Sequence, residues 1–135
     1  MSLALATRQK RLTVVRADID TSGPGALHLH ALPVAEPPTT APLAVLPLAM
    51  PCGVMDVDAN NFARLSLAPV TANALASGAV GWGRYVDGAG VLVLTALAGL
   101  PGSGAPIIVT DGQQPPSASV FVGGEVKVLS AVFLE

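Results

Sequence analysis

Two histidines, His28 and His30, stand one residue apart in "ALHLHAL" (26–32), and Asp56, Asp58 and Asn60 alternate in "DVDANN" (56–61). Both sets have ligand-like spacing. Residues i and i+2 of a strand point to one side, so the two imidazoles could share a cation. A zinc site takes three or four ligands, however, and no third His or Cys lies nearby in sequence. The acidic stretch opens like a calcium loop, but such a loop then needs Gly at its sixth place and a bidentate Glu at its twelfth, where this chain has Asn61 and Leu67. We read the histidines as the polar face of a strand and the acidic stretch as a polar turn, with a surface cation at either left open.

Nucleotide chemistry is tested by "GWGRYVDGAGVLVL" (81–94). A dinucleotide fingerprint needs its glycines between a strand and a helix, so that a pyrophosphate meets the helix amino terminus. Here Gly81 and Gly83 fall inside a strand-like run, and "DGAG" (87–90) is followed by β-branched "VLVL" rather than a helix. "GSGAP" (102–106) lacks the Lys-Ser/Thr of a P-loop. Nucleophilic catalysis fares no better: G-x-S-x-G is absent, and Cys52, in "PCG", has no sequence neighbour to activate it. No cofactor is expected, and an enzyme is the minority reading.

The elements that would position these residues are short. Over 7–20, "TRQKRLTVVRADID", Leu12, Val15 and Ile19 recur at helical spacing while Arg8, Arg11 and Arg16 lie off the stripe. Thr7 is placed to cap this amphipathic helix, and "TSGPG" (21–25) stops it. "ALHLHAL" alternates, with Leu27, Leu29 and Ala31 on one face. The segment 33–42 holds four prolines in ten residues and reads as an extended, flexible arm. Strands are then expected at 43–50, 62–70, 79–86, 91–98, 107–110 and either side of the "GG" at 123–124. Asp-Gly makes 79–98 a hairpin, and a further short strand piece is possible within 51–61.

Seven or eight short strands and one helix in a chain of 135 residues predict a single all-β domain over 1–135, a jelly-roll-like antiparallel β-sandwich with a short amino-terminal helix. Composition agrees: 51% hydrophobic, 12% charged and 4% aromatic, with mean hydropathy +0.60, gives a core of small and β-branched side chains. An isolated monomer would struggle to cover so much apolar surface, which points to a homo-oligomer, a dimer or trimer. Four of the seven cations, Arg8, Lys10, Arg11 and Arg16, crowd the first 16 residues, while all nine acids follow. That basic tag reads first as the solvated face of a helix and next as a contact for an acidic protein surface; nucleic acid is disfavoured, because the tag carries no interleaved aromatics. The single cysteine forbids an intrachain disulfide. No apolar run reaches the roughly 20 residues of a membrane span, and the start lacks the order of a signal peptide, so synthesis in the cytoplasm is expected.

The order of signals resembles a known family. "LATRQKRL…ADIDTSGPGALHLHALP", then "ANALASGAVGWGRYVDGAGVLVL", "GSGAPIIV" and "GGEVKVLSAVFL" is similar to small virion proteins encoded in the head-morphogenesis modules of tailed bacteriophages. Gly78, Trp82, Arg84, Asp87 and Gly90 fall in the family's hairpin pattern, and Gly123, Gly124, Val126 and Val128 in its last strand. Where family members tend to carry Tyr-Asp-Gly after the first strand, this chain has "HLHALPVAEPP". The resemblance implies a capsid cement or decoration protein: a β-sandwich on the outside of the virion head, made in the host cytoplasm, with the major capsid protein as partner and no catalysis. The contact would come from the basic helix (Arg8, Lys10, Arg11, Arg16) or from the arm at Pro37 and Pro38. Trp82, the sole tryptophan, is expected to be a packing anchor. A neck or tail component is the alternative within structural proteins, and a carbohydrate-binding sandwich or small hydrolase lies outside that class.

Overall fold

The computed structural model describes residues 3–135. One helix, α1 (Leu5–Ile19), precedes eleven strands: β1 (Ala26–His30), β2 (Ala44–Pro47), β3 (Gly53–Val57), β4 (Ala63–Leu67), β5 (Val70–Asn73), β6 (Gly78–Ala79), β7 (Trp82–Val86), β8 (Leu92–Gly99), β9 (Ile107–Thr110), β10 (Ser119–Val120) and β11 (Glu125–Leu134). The chain is all-β with a short amino-terminal helix, as its alternation requires.

Nine strands form one sheet: eight follow the path β2-β1-β7-β8-β9-β11-β4-β3 and the ninth, β5, pairs with β11 off that path; β6 and β10 make a separate small ladder. The path curls so that two halves face each other. Leu27, Leu29, Leu46 and Tyr85 from one half meet Leu65, Ile107, Val109, Val126 and Val128 from the other in a single core. Gly83 marks how close the halves come. A Cβ there would lie 2.8 Å from Leu27 Cδ1 on the neighbouring strand and 2.9 Å from Ile107 Cδ1 across the core, so only a residue without a side chain fits unadjusted.

Two long strands hold the halves together. β8 pairs antiparallel with β7 along most of its length, then parallel with β9 through Ala98 and Gly99. That parallel step departs from the purely antiparallel sandwich expected from sequence. Its cause is the connection 100–106, which crosses over instead of turning back as a hairpin. β11 carries β5 and then β4 along one edge and β9 along the other. The run 62–70, expected as one strand, is broken before Val70 by Pro69, which has no N–H to give a ladder.

The β7–β8 hairpin turns at "DGAG". Asp87 N–H donates to Val91 O at 2.9 Å, and the Asp87 carboxylate accepts from the N–H groups of Ala89 and Val91, both at 2.9 Å. Gly90 sits at φ +85°, the left-handed region that favours glycine. Gly88 lies in the turn, as expected, and has a second task, because a Cβ there would run into the Ser22 carbonyl. Its N–H donates to Thr21 O at 2.9 Å, so the hairpin tip is tied to the segment after α1.

α1 begins at Leu5 rather than at the expected Thr7; Ala4 takes the cap position with no side-chain bond. Leu12 and Ile19 are buried and Val15 partly so, which is the expected stripe. The helix lies across β3 and β4 and touches β8.

Candidate functional site

The expected site residues fall in two places. The first is the outer face of β1 and β7. Register sets His28 opposite Arg84 and His30 opposite Trp82. Because side chains alternate along a strand, these four share the face turned away from the core. Sequence alternation predicts that face as solvated. The structure covers it instead with the Pro-rich segment 31–42, which is no free arm.

Three contacts seal that cover. Trp82 Nε1 donates to Ala31 O at 2.8 Å. Arg84 Nε and Nη2 donate to the two Glu36 carboxylate oxygens at 2.8 and 2.9 Å, a fork-to-fork pair that fixes the loop in one orientation. Leu43 N–H donates to Leu29 O at 2.7 Å where the loop rejoins the sheet. Pro37 stays exposed and Pro38 is half-buried beside the pinned Glu36.

Under the loop, His30 is 1% exposed and stacks on Trp82 with ring centroids 5.0 Å apart and planes 24° from parallel. Neither imidazole nitrogen has a hydrogen-bond partner. Burial lowers the His30 pKa, and Arg84 and His28 lower it further; the Thr40 backbone and Glu36 pull the other way and lose. His28, half-buried, is lowered by burial and then by Arg84. Two neutral imidazoles beside a guanidinium are a packing arrangement, and among the described residues no three His, Cys, Asp or Glu side chains converge as metal ligands.

Trp82 is therefore inside its own chain but outside the sandwich core. Tyr85, on the opposite face of β7, is 1% exposed, packs edge-on against Phe133 at 5.6 Å, and has its phenol pKa raised by burial. The only Trp and Tyr are both buried, and the exposed aromatic side chains are Phe62 and Phe121.

The second place is the basic helix. Arg8 Nη1 donates to Asn61 O at 3.1 Å and Glu135 O at 3.0 Å. Arg11 Nε lies 3.1 Å from a Glu135 carboxylate oxygen, and Arg16 Nη1 donates to Gly53 O at 3.5 Å. Three of the four cations thus hold α1 on its own sheet. Lys10 is exposed and makes no bond or ion pair among the described residues. The segment expected to reach a partner is occupied largely with the fold.

The remaining chemistry-bearing residues are engaged likewise. Asp56 and Arg64 form a bidentate pair at 2.7 Å across β3 and β4, and the Arg64 hydrogen bonds hold the Asp56 carboxyl below its ordinary range. Asp58 accepts from the N–H groups of Asn60 and Phe62 at 2.9 Å, closing the β3–β4 turn in which Asn61 takes φ +64°. Cys52 is buried; its N–H donates to the Asp20 carboxylate at 3.1 Å, and burial, then Asp20, push the thiol up to about 12. A thiol so held is almost wholly protonated at neutral pH and is no nucleophile.

Sequence reasoning missed the Glu36–Arg84 pair. The available signal was scarcity: Arg84 is the one cation between Arg64 and Lys127, and Glu36 the one charge in the Pro-rich stretch. In a chain with so few charges, two isolated opposites partly withdrawn from water are candidates to find each other.

No protein-family model, curated protein or solved structure matches this chain.

Proposed function

We propose that the chain is a tailed-phage virion protein that binds the outside of the capsid and joins neighbouring major capsid subunits. The observation that carries the reading is the surface. Among the described residues, fifteen large apolar side chains are exposed on a body with 12% charged residues, as suits a subunit covered by neighbours in an assembly. The sequence order of the "GPG" turn, the Trp82–Gly90 hairpin and the "GG-x-V-x-V" strand supplies the virion class.

The mechanism follows from multivalency. A capsid presents many equivalent seams, so modest apolar contact per copy accumulates across the shell and resists the pressure of packaged DNA. A body held by a nine-stranded sheet transmits that load with little deformation. The test compares heads assembled with and without the protein under heat and osmotic shock. Complete heads should survive conditions that burst bare ones; equal survival sinks the proposal. Copy number per virion, hundreds for a cement and a few to tens for a neck ring, separates the capsid role from the neck or tail role.

A further inference from the structure

The Pro-rich segment over the β1–β7 face is tied at its two ends and at one point between. At the start Trp82 Nε1 donates to Ala31 O at 2.8 Å, and at the finish Leu43 N–H donates to Leu29 O at 2.7 Å. Over residues 32–42 there is no backbone–backbone hydrogen bond among the described residues, and none of these residues is buried. Leu32 leans on Gly81, where a Cβ would lie 2.5 Å from its Cγ, yet it stays 62% exposed. The strongest tie is the Glu36–Arg84 fork at 2.8 and 2.9 Å, with the Arg84 side chain 14% and the Glu36 side chain 42% exposed.

Beneath this segment lies a buried titratable ring. His30 has no well-formed hydrogen bond at either imidazole nitrogen. The groups that act on its charge are His28 on its own strand, Arg84 on β7, and the Glu36 carboxylate and Thr40 backbone of the segment above. On the other side of β1, β2 brings Ala44, Val45, Leu46 and Pro47, none of which titrates. A proton on His30 therefore sets a second positive charge near Arg84 in a site closed to water, with one carboxylate to serve both.

We propose that residues 32–42 form a strap that swings open as a unit when His30 takes up a proton, while the sandwich beneath stays folded. Hydrating the imidazolium requires only that the strap lift. That breaks one ion pair and a few loose contacts but no ladder, whereas unfolding would break the nine-stranded sheet. Four prolines restrict the backbone between the tied ends, so the segment moves as a piece. Linkage gives the direction. Burial, then Arg84 and His28, make His30 harder to protonate in the closed form than the ordinary 6.5, so the open form binds the proton first and gains population as pH falls below that value. One linked proton raises the opening constant by at most about tenfold per pH unit in that range. In the open form Trp82, His28, His30 and Arg84 meet solvent together, a cationic aromatic surface that the closed form withholds. The inference is independent of the capsid reading.

Acrylamide quenching of Trp82, the only tryptophan and 1% exposed, tests the strap without denaturant, read beside the far-UV circular dichroism of the sheet from about pH 8 to pH 5. The parent's bimolecular quenching constant should climb severalfold on acidification while the ellipticity stays constant. Glu36→Gln, at an exposed position, removes the charge of the latch and should raise quenching already at the alkaline end. His30→Phe should hold quenching at the low parent value throughout, and His28→Asn should keep the acid response. The parent and Glu36→Gln carry the test even where His30→Phe fails to fold. Quenching that stays flat down to the acid end, or that rises only in step with loss of sheet ellipticity, overturns the proposal. So does a Glu36→Gln protein whose Trp82 is as protected as the parent's. An acid response that survives in folded His30→Phe, or vanishes in His28→Asn, takes the proton away from His30 and overturns it as well.

Discussion

Acid should loosen the cover over the β1–β7 face, and His30 sets the size of the effect. The imidazole is 1% exposed, has no well-formed hydrogen bond, and faces Arg84 and His28, with only the Thr40 backbone and Glu36 to favour its charged form. Its pKa in the fold is below the ordinary 6.5, so the unfolded chain binds the proton first as pH falls. The stability tied to the neutral ring is therefore complete above pH 6.5 and is lost as pH falls toward the folded value. The linkage slope caps the loss at about 1.4 kcal/mol per pH unit for one group, hence about 2 kcal/mol between about pH 6.5 and pH 5. With a urea slope of about 1–3 kcal/mol/M, that cap corresponds to a midpoint lower by about 1 M. Trp82 is the only tryptophan and stacks on this ring, so its emission follows the transition directly. The Asp56 shift acts at lower pH and those of Cys52 and Tyr85 at alkaline pH, which leaves the histidines to dominate this window. His30→Phe keeps a ring on Trp82 and removes the unpartnered nitrogens; it should be at least as stable at about pH 8 and lose most of the acid dependence. Equal midpoints at about pH 8 and pH 5, or a His30→Phe variant as acid-sensitive as the parent, would refute the reasoning.

Gly88→Ala forces a Cβ against the Ser22 carbonyl, so the hairpin tip or the segment after α1 must shift; a loss of about 1–3 kcal/mol in thermal or urea unfolding is expected, and a neutral substitution would show that the close approach is not real. Cys52 should resist alkylation in the folded protein at neutral pH and react readily once unfolded. Because its pKa is raised to about 12, the stability tied to the neutral thiol should be present below pH 9 and decline as pH rises toward 12, a decline that Cys52→Ala should reduce.

Local alternation carried much of the fold into view. Leu27 and Leu29 on β1, and Ala63, Leu65 and Leu67 on β4, are buried where period-2 patterning puts them, and Asp87–Gly90 turns where Asp-Gly predicts. What stayed hidden is non-local. β5 meets β11 more than fifty residues on, β6 meets β10 forty residues on, and the parallel step from β8 to β9 depends on how one loop crosses. Periodicity also reports that a strand has a polar face but not what lies over it. His28 and His30 were legible as a pair on one face; the loop that buries His30 is fixed by Glu36 and Arg84, 48 residues apart. Proline density suggested freedom in 33–42, yet missing backbone donors only keep a segment out of a ladder and do not stop its side chains from pinning it down.

The same scarcity of charge bears on how this protein can recognise anything. Six of its seven cations already have partners in the chain: Arg8 and Arg16 on backbone carbonyls, and Arg11, Arg64, Arg84 and Lys127 on Glu135, Asp56, Glu36 and Glu125. Exposed pairs of this kind add little stability each. Their larger consequence is that Arg11, Arg64, Arg84 and Lys127 each lie beside a carboxylate that cancels much of their field within a few ångströms, well inside the roughly 8 Å over which salt screens the rest, while Arg8 and Arg16 keep their charge with donors committed to the fold. On the basic helix that looks in sequence like a tag for an acidic partner, Lys10 is the one cation with no bond or ion pair among the described residues. Few charges are left to steer a partner from a distance, and selectivity passes to shape and apolar contact, which the exposed apolar side chains supply. Weak, short-ranged, apolar contacts make a poor solitary binder and a serviceable one when many copies engage together, which is why the surface argues for assembly before it argues for any particular partner.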